Sequence, residues 1–560
     1  MIWPQNYDPV GNGWISTILA AAPVVVMLGG LGLLHMRAHI AALAGLAVAL
    51  LIAIAVYGMP TGSAFAAAGF GAAYGLLPIG WIVLNIIFLY QLTNECGQFE
   101  IMRNSIARIT DDSRLQLLLI AFCFGAFFEG AAGFGTPVAV TGAMLIGLGF
   151  TRLQASGLSL IANTAPVAFG ALGTPLLTLS AITGLPLLEL SAMVGRQMTI
   201  FCIIVPFWLL VAYCGWRRTL EVWPAVLVTG LTFGLAQLAI SNLHGPWLTA
   251  VGSALLTILV LIGFLRVWKP RSVMHVNDAP LSKGDSRAVE EEMAEERVHP
   301  DAEHPTPAAV RKAWMPWLIL TVMIFVWGLP FVKTGLDALF KPSFAVPLLD
   351  GMVQRMPPVV AAPEVEGAVF NLNLFSATGS GILLAAIFSG FLLGMRPAQI
   401  VGTYARSLKL VAPSLLTIAA MLALGYVTRF AGIDATMGLA FAGTGVLYPF
   451  FGTMLGWLGV AVTGSDTASN VLFGSLQKIT SQQLGLPPIL MAGANSAGGV
   501  MGKMIDAQSI VVASTATKWF GAEGKILRYV LVHSIALGMM MGGLVMLMAY
   551  VPPFTDWVVK

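Results

Sequence analysis

Apolar residues fall along this chain in runs of about 20. That is enough to cross the roughly 30 Å hydrocarbon core of a bilayer as a helix. Such runs occupy 14–34, 40–58, 78–93, 197–215, 223–240 and 247–267, and then 313–331, 374–394, 400–428, 434–450 and 527–550. Four stretches, 115–150, 155–184, 452–476 and 487–516, are equally apolar but interrupted. The first holds Glu129-Gly130-Ala131-Ala132-Gly133-Phe134-Gly135-Thr136-Pro137, an acid with three glycines and a proline. A continuous spanning helix does not normally carry such a run. Lipid offers no hydrogen bonds, so irregular backbone at that depth must be buried in protein or line a wet cavity. A carboxylate there points to a pathway or a partner. The stretch is therefore expected to be one half of a solute site. Residues 268–312 form the one long hydrophilic segment and read as a solvated linker, with a short surface helix over Glu290–Arg297. It separates an N-terminal membrane half, 1–267, from a C-terminal one, 313–560. Residues 335–370, with Lys341, Arg355, Met356-Pro357-Pro358 and Glu364, read as an extramembrane or interfacial connection. The fold class expected is an all-α polytopic membrane protein of about 12–14 transmembrane helices.

Composition sharpens this picture. Of 560 residues, 57% are hydrophobic and only 10% charged, against about 25% charged in soluble domains. The net charge of +3 is not gathered into a basic patch for nucleic acid. Cys96, Cys123, Cys202 and Cys214 lack metal-site spacing and read as unpaired packing residues. No nucleotide loop, HExxH or nucleophile elbow is present. An enzyme, a metal site and a cofactor are not expected, and any transport must draw on a gradient. Short loops carry Arg37, Arg103, Arg108, Arg114, Arg217, Arg218, Lys269 and Arg271, and later Arg396, Arg406, Lys518 and Arg528. The positive-inside rule puts these and the linker in the cytoplasm and both termini outside. No Lys or Arg precedes the first apolar run, which excludes a cleavable signal peptide with a basic start.

The chain also matches itself. Pro78 answers Pro413, and Glu95-Cys96-Gly97 answers Phe430-Ala431-Gly432, both at an offset of 335 residues. Phe128-Glu129-Gly130-Ala131 answers Val462-Thr463-Gly464-Ser465 at 334, and the run from Asn163 answers that from Asn495 at 332. Arg103, Arg108 and Arg114 precede the first interrupted stretch, whereas its counterpart at 434–452 lacks Lys and Arg. The two copies are therefore expected to be inverted repeats, with broken helices meeting near the midplane. Lys478 fits that orientation poorly.

Glu129 and Asp466 are the candidate proton carriers, because a poorly hydrated pocket favours the neutral form of a carboxyl. Each could instead be locked into helix packing. Lys503 is the sole cation of the last interrupted stretch. It either meets a substrate carboxylate or pairs with Asp466 or Asp506. Asn163 and Asn495 either offer donors and an acceptor to a hydroxyl and a carboxylate or cap half-helices. Gly130, Gly133, Thr164, Ser465, Thr467 and Ser496 complete the candidate substrate-binding set, with freed N–H groups at half-helix N-termini favouring an anion. A sodium-coupled reading uses Ser465, Thr467 and Asn470, and a passive channel or structural subunit is a third reading. His533 reads as a packing residue.

On these residues the chain resembles the bacterial L-lactate permease family. The motifs that carry the resemblance include Gln5-Asn6-Tyr7-Asp8-Pro9, Gly125-Ala126-Phe127, Glu129 through Gly135 and Asn163 through Gly170. Later ones are Arg355-Met356-Pro357-Pro358-Val359-Val360, Phe375-Ser376-Ala377-Thr378-Gly379, Leu455-Gly456-Trp457-Leu458-Gly459, Thr463-Gly464-Ser465-Asp466-Thr467 and Gly502-Lys503-Met504-Ile505. The resemblance implies a proton symporter for small 2-hydroxymonocarboxylates (L-lactate, D-lactate and glycolate) in the bacterial inner membrane. The family pattern has Ser-Pro where this chain has Asp506-Ala507, which argues against Asp506 as a general proton carrier.

Overall fold

A computed structural model describes residues 2–559 except 33, 35, 108, 134, 279–305, 520 and 521. The expected surface helix over Glu290–Arg297, Phe134 and most of the linker lie outside the described residues.

Eleven described helices are long and apolar enough to cross a membrane, or twelve if the bent pair Arg152–Ala162 and Val167–Thr183 counts as one span. That number includes the hairpin arms Ser113–Ala131 and Ile433–Thr463, whereas Thr378–Leu392, in the run 374–394, is too short to join it. Two interrupted stretches turn back on themselves. In hairpin 1 (Ser113–Ala131, then Thr136–Gly147), a Cβ added to Gly125 would lie 3.3 Å from Thr141 Cγ2 on the returning arm. Tyr213 stands beside Ser113 at the start of the stretch, and its ring is 5.2 Å from that of Phe150 at the end. In hairpin 2 (Tyr448–Thr463, then Asp466–Gln483), the Tyr448 hydroxyl donates to Gln477 Oε1 at 2.7 Å. Gln477 Nε2 donates to the Gly452 carbonyl at 2.6 Å, and Ser469 Oγ to that of Gly456 at 3.1 Å. The turns fall at glycines with left-handed backbone, Gly133 and Gly135 (φ +59° and +81°) and Gly464 (φ +72°). Pro137 and the Ser465 N-cap start the returning helices. Hairpin 1 is no lipid-facing span: 94% of its apolar arm is buried. Phe124, Phe127 and Phe128 pack on one another and on Trp314 and Trp317.

Two long helices support the hairpins. Thr61–Glu95 is broken in the middle at Leu77 (φ −134°, ψ 115°) just before Pro78, whereas Pro397–Ala431 runs 35 residues through Pro413. They touch backbone to backbone: a Cβ on Gly71 would sit 2.3 Å from the Leu422 carbonyl oxygen. Small residues permit such approach where lipid supplies no hydrophobic drive between helices. Left-handed glycines follow both, Gly97 and Gly432 (φ +67° and +81°). A short helix comes next in each case, Gln98–Ala107 and Ile433–Phe441, then a hairpin, then a broken helix. Hence one order of elements occurs twice.

The ends of the bundle differ. At one, Arg114 is fully buried, and its N–H groups reach both Asp112 oxygens, Glu221 and the carbonyls of Arg218 and Ser272. Glu221 lies outside the spans, and its hydrogen bond from Arg114 holds its carboxyl below the usual range. At the other end the 335–370 connection builds two small sheets. Strand β1 (Trp3–Pro4) pairs in parallel with β3 (Val353–Arg355), and β3 pairs antiparallel with β4 (Glu364–Glu366). Strand β2 (Ser343–Ala345) pairs with β5 (Val369–Asn371). Glu366 binds both Arg355 and Arg429, each at 2.7 Å.

Candidate functional site

The tips of both hairpins and the breaks of both broken helices converge inside the bundle on a cavity of about 150 Å³. The long helices close one side with Ile79, Ser414, Thr417, Ile418 and Met421. The cavity extends as far as Ala38, beside Arg37.

The polar wall is built from chain ends. Hairpin 1 presents Glu129 from the last turn before its tip, with Gly133 at the turn. Across from it the first broken helix changes direction through Ala171, Leu172 and Gly173, all with positive φ, and then continues through Thr174 and Pro175. Glu129 Oε2 accepts from Asn163 Nδ2 at 3.0 Å. A Cβ on Gly170 would lie 2.4 Å from Glu129 Oε1, so any side chain there would displace that carboxyl. Hairpin 2 contributes Thr463, Gly464, Ser465, Asp466 and Thr467. The Ser465 hydroxyl caps the helix by accepting from the Ala468 N–H. Asp466, the first residue of that helix, accepts a hydrogen bond from the Ser496 hydroxyl through Oδ2, while Oδ1 has no partner among the described residues.

Lys503 comes from the break of the second broken helix, Pro488–Gly502 and Ala507–Ala516. Its ammonium donates to the Gly464 carbonyl at 2.6 Å and lies 3.2 Å from Asp506 Oδ2. Asp506 is itself buried and caps the next half-helix, accepting from the Ser509 N–H at 2.7 Å. The charged side chains on the wall are thus Glu129, Asp466 and Lys503.

The structure therefore brings Glu129, Gly133, Ser465, Asp466, Thr467 and Lys503 to one surface. Asn163 and Ser496 stand directly behind it, each holding one of the acids. Other candidates lie off the wall. Asn495 is turned into hairpin 2, donating to Asn470 Oδ1 at 2.9 Å and accepting from Gln477 at 3.2 Å. Gly130 serves close packing, since a Cβ there would lie 2.8 Å from Ala250 and from the Val251 nitrogen. Thr164 is buried with an unpartnered hydroxyl. The wall also includes Ser414, Thr417, Thr174 and Gln508, which the sequence reading did not single out. The one hint at the first two was their neighbour Pro413, which answers Pro78 at an offset of 335 residues. No group of acids, histidines and cysteines among the described residues could hold a metal ion.

Membrane-length helices enclosing paired hairpin tips and broken helices around a buried, ionisable cavity define a multi-pass membrane transport protein. The chain belongs to the L-lactate permease family, whose model matches residues 16–552. It is 44% identical to the glycolate permease of Escherichia coli K12 over 572 residues, covering all of both chains. It is 43% identical to the L-lactate permease of Salmonella typhimurium LT2, with 98% of each covered, and 41% identical to that of Bacillus subtilis 168, with 96% of each covered. Among solved structures it is similar to the Neisseria gonorrhoeae efflux pump MtrF, at 12% identity and a TM-score of 0.45, covering 90% of this chain and 85% of that one.

Proposed function

We propose that the protein carries small 2-hydroxymonocarboxylates, namely L-lactate, D-lactate and glycolate, into the cell across the bacterial inner membrane, each with a proton. The names of the relatives support the substrate class. The observation that carries the coupling is the charge on the cavity wall. One cation, Lys503, faces two acids, Glu129 and Asp466, and is already paired with a third acid behind it, Asp506. With both wall acids ionised, an incoming carboxylate adds negative charge to a buried site that already has an excess of it, which is strongly unfavourable. A proton on Glu129 or Asp466 removes one of those charges, so anion and proton bind together. Lys503 and freed N–H groups at the half-helix starts hold the carboxylate. Ser465 and Thr467 serve its hydroxyl, and Asn163 and Ser496 orient the two acids.

In this reading the two sets of elements are inverted repeats. Hairpin 1 has its base at the Arg114 end. Hairpin 2 has its base at the opposite end, where Gln483 donates to the Pro358 carbonyl. Arginine-rich loops and the linker then face the cytoplasm, and both termini the periplasm.

The test is uptake by proteoliposomes holding the purified protein. Asp466→Asn is expected to abolish accumulation driven by a pH gradient and to leave some counterflow exchange, and Glu129→Gln is examined in parallel. Unchanged pH-driven uptake in a variant removes that acid as the carrier. Loss of uptake only when the sodium gradient is clamped at zero replaces the proton with sodium.

A further inference from the structure

Another acid is buried in the bundle, away from the cavity. Asp434 lies in the first turn of the short helix Ile433–Phe441, immediately after Gly432. It is 2% exposed, and its Oδ2 has no hydrogen-bond partner among the described residues. This helix packs on the returning arm of hairpin 2. One turn beyond Asp434, a Cβ on Gly438 would lie 3.0 Å from Ile479 Cβ, and the Thr480 hydroxyl donates to the Gly438 carbonyl at 2.9 Å. The Asp434 carboxyl sits between Ser475 of that arm and Thr428 of the long helix Pro397–Ala431.

Both hydroxyls have a backbone carbonyl to take their proton. Thr428 Oγ1 donates to the Gly425 carbonyl at 3.1 Å, and Ser475 Oγ to that of Ile182 at 3.2 Å. The charged neighbours are also committed. Arg429 gives its N–H groups to Glu366 and to the carbonyls of Ala181 and Ile182. Lys478, on the hairpin arm, donates to the Thr183 carbonyl at 2.7 Å. Tyr57 donates to Thr436 at 2.8 Å, and Asp8 accepts from Ser16 at 2.6 Å. In an ionised carboxylate here the buried Oδ2 would face no donor among the described residues, an expensive arrangement. A neutral carboxyl has a hydrogen to give and oxygens ready to take it.

We propose that Asp434 is a proton-binding site separate from the cavity, holding a neutral carboxyl while hairpin 2 is packed against the long helix as it is here. Any movement of hairpin 2 away from that helix opens the site to water and releases its proton. The site then couples hairpin position to pH independently of which substrate occupies the cavity.

Infrared spectroscopy of the full-length purified protein tests this at neutral pH. The wild type is expected to show a protonated-carboxyl stretching component that shifts in D₂O and is missing in Asp434→Asn. The same component must persist in a Glu129→Gln, Asp466→Asn double variant, which separates it from the cavity acids. Ser475→Ala, which removes an acceptor, should raise its frequency, and this keeps the proposal testable if Asp434→Asn folds poorly. Melting temperature supplies the opposite arm: Asp434→Asn replaces a neutral acid by a neutral amide and should leave Tm unchanged. Loss of an ionised-carboxylate band in Asp434→Asn, or a protonated band that Asp434→Asn and Ser475→Ala both leave unaltered, overturns the proposal.

Discussion

Lys503 is held by its own chain before any anion arrives. Its ammonium touches the Gly464 carbonyl and Asp506, so an entering carboxylate competes with Asp506 for it. Asp506→Ser keeps a residue that caps the following half-helix well while removing the competing charge. The expected result is a KM for the transported anion lowered roughly fivefold, equivalent to about 1 kcal/mol. An unchanged KM in proteoliposome uptake would show that the ammonium does not meet the substrate. At this scale the sequence was informative wherever a residue was out of place. A charge inside an apolar run must have a reason, and Glu129, Asp466 and Lys503 were found on that ground. Thr417 and Gln508 gave no such signal, because hydroxyls and amides along a helix are ordinary. The match of Asn495 to Asn163 did not foretell that Asn495 bonds to Asn470 and Gln477 while Asn163 meets an acid.

Elements in this protein are set by how closely backbones approach. A Cβ on Gly456 in hairpin 2 would lie 2.1 Å from the Asn495 carbonyl oxygen, whereas Gly543 in the helix Glu523–Tyr550 has open space around it. Gly456→Ala should therefore force two helices apart, at a cost of at least about 1–3 kcal/mol. Gly543→Ala should stabilise by about 0.5–1 kcal/mol through helix propensity. Thermal unfolding in detergent compares the two, and equal shifts would refute the packing argument. The interrupted stretches were legible as interrupted, because glycine, proline and acid cannot continue a lipid-facing helix. Whether each crossed or turned back was not legible. That depends on partners such as Gln477 meeting Tyr448 and Gly452, which are distant in sequence.

Across the whole molecule the cavity has a direction. It extends to Ala38, beside Arg37, while the other end is closed by Glu366 with Arg355 and Arg429 and by tight packing of Gly425 on Ile182 and Val471. In a Cys96→Ser background, Gln508→Cys should react with a membrane-impermeant thiol reagent added to the arginine-rich face, and lactate should protect it. The other three cysteines are buried and give little background. Labelling from the opposite face alone would reverse the assignment. The doubled order of elements coincides with the offset matches, whose spacing stays nearly constant even where side chains diverge. The end sheets were not, since no local pattern announces that β1 pairs with β3. That pairing also fixes a timetable for biosynthesis. Gln5 Nε2 reaches the carbonyl of Phe430, 425 residues along the chain. At about 5–20 residues per second of synthesis, the N-terminal segment waits roughly 20 to 90 s for its partner to be made. The helices thus enter the membrane before that end of the protein can close, and Gln5 fastens a bundle already assembled.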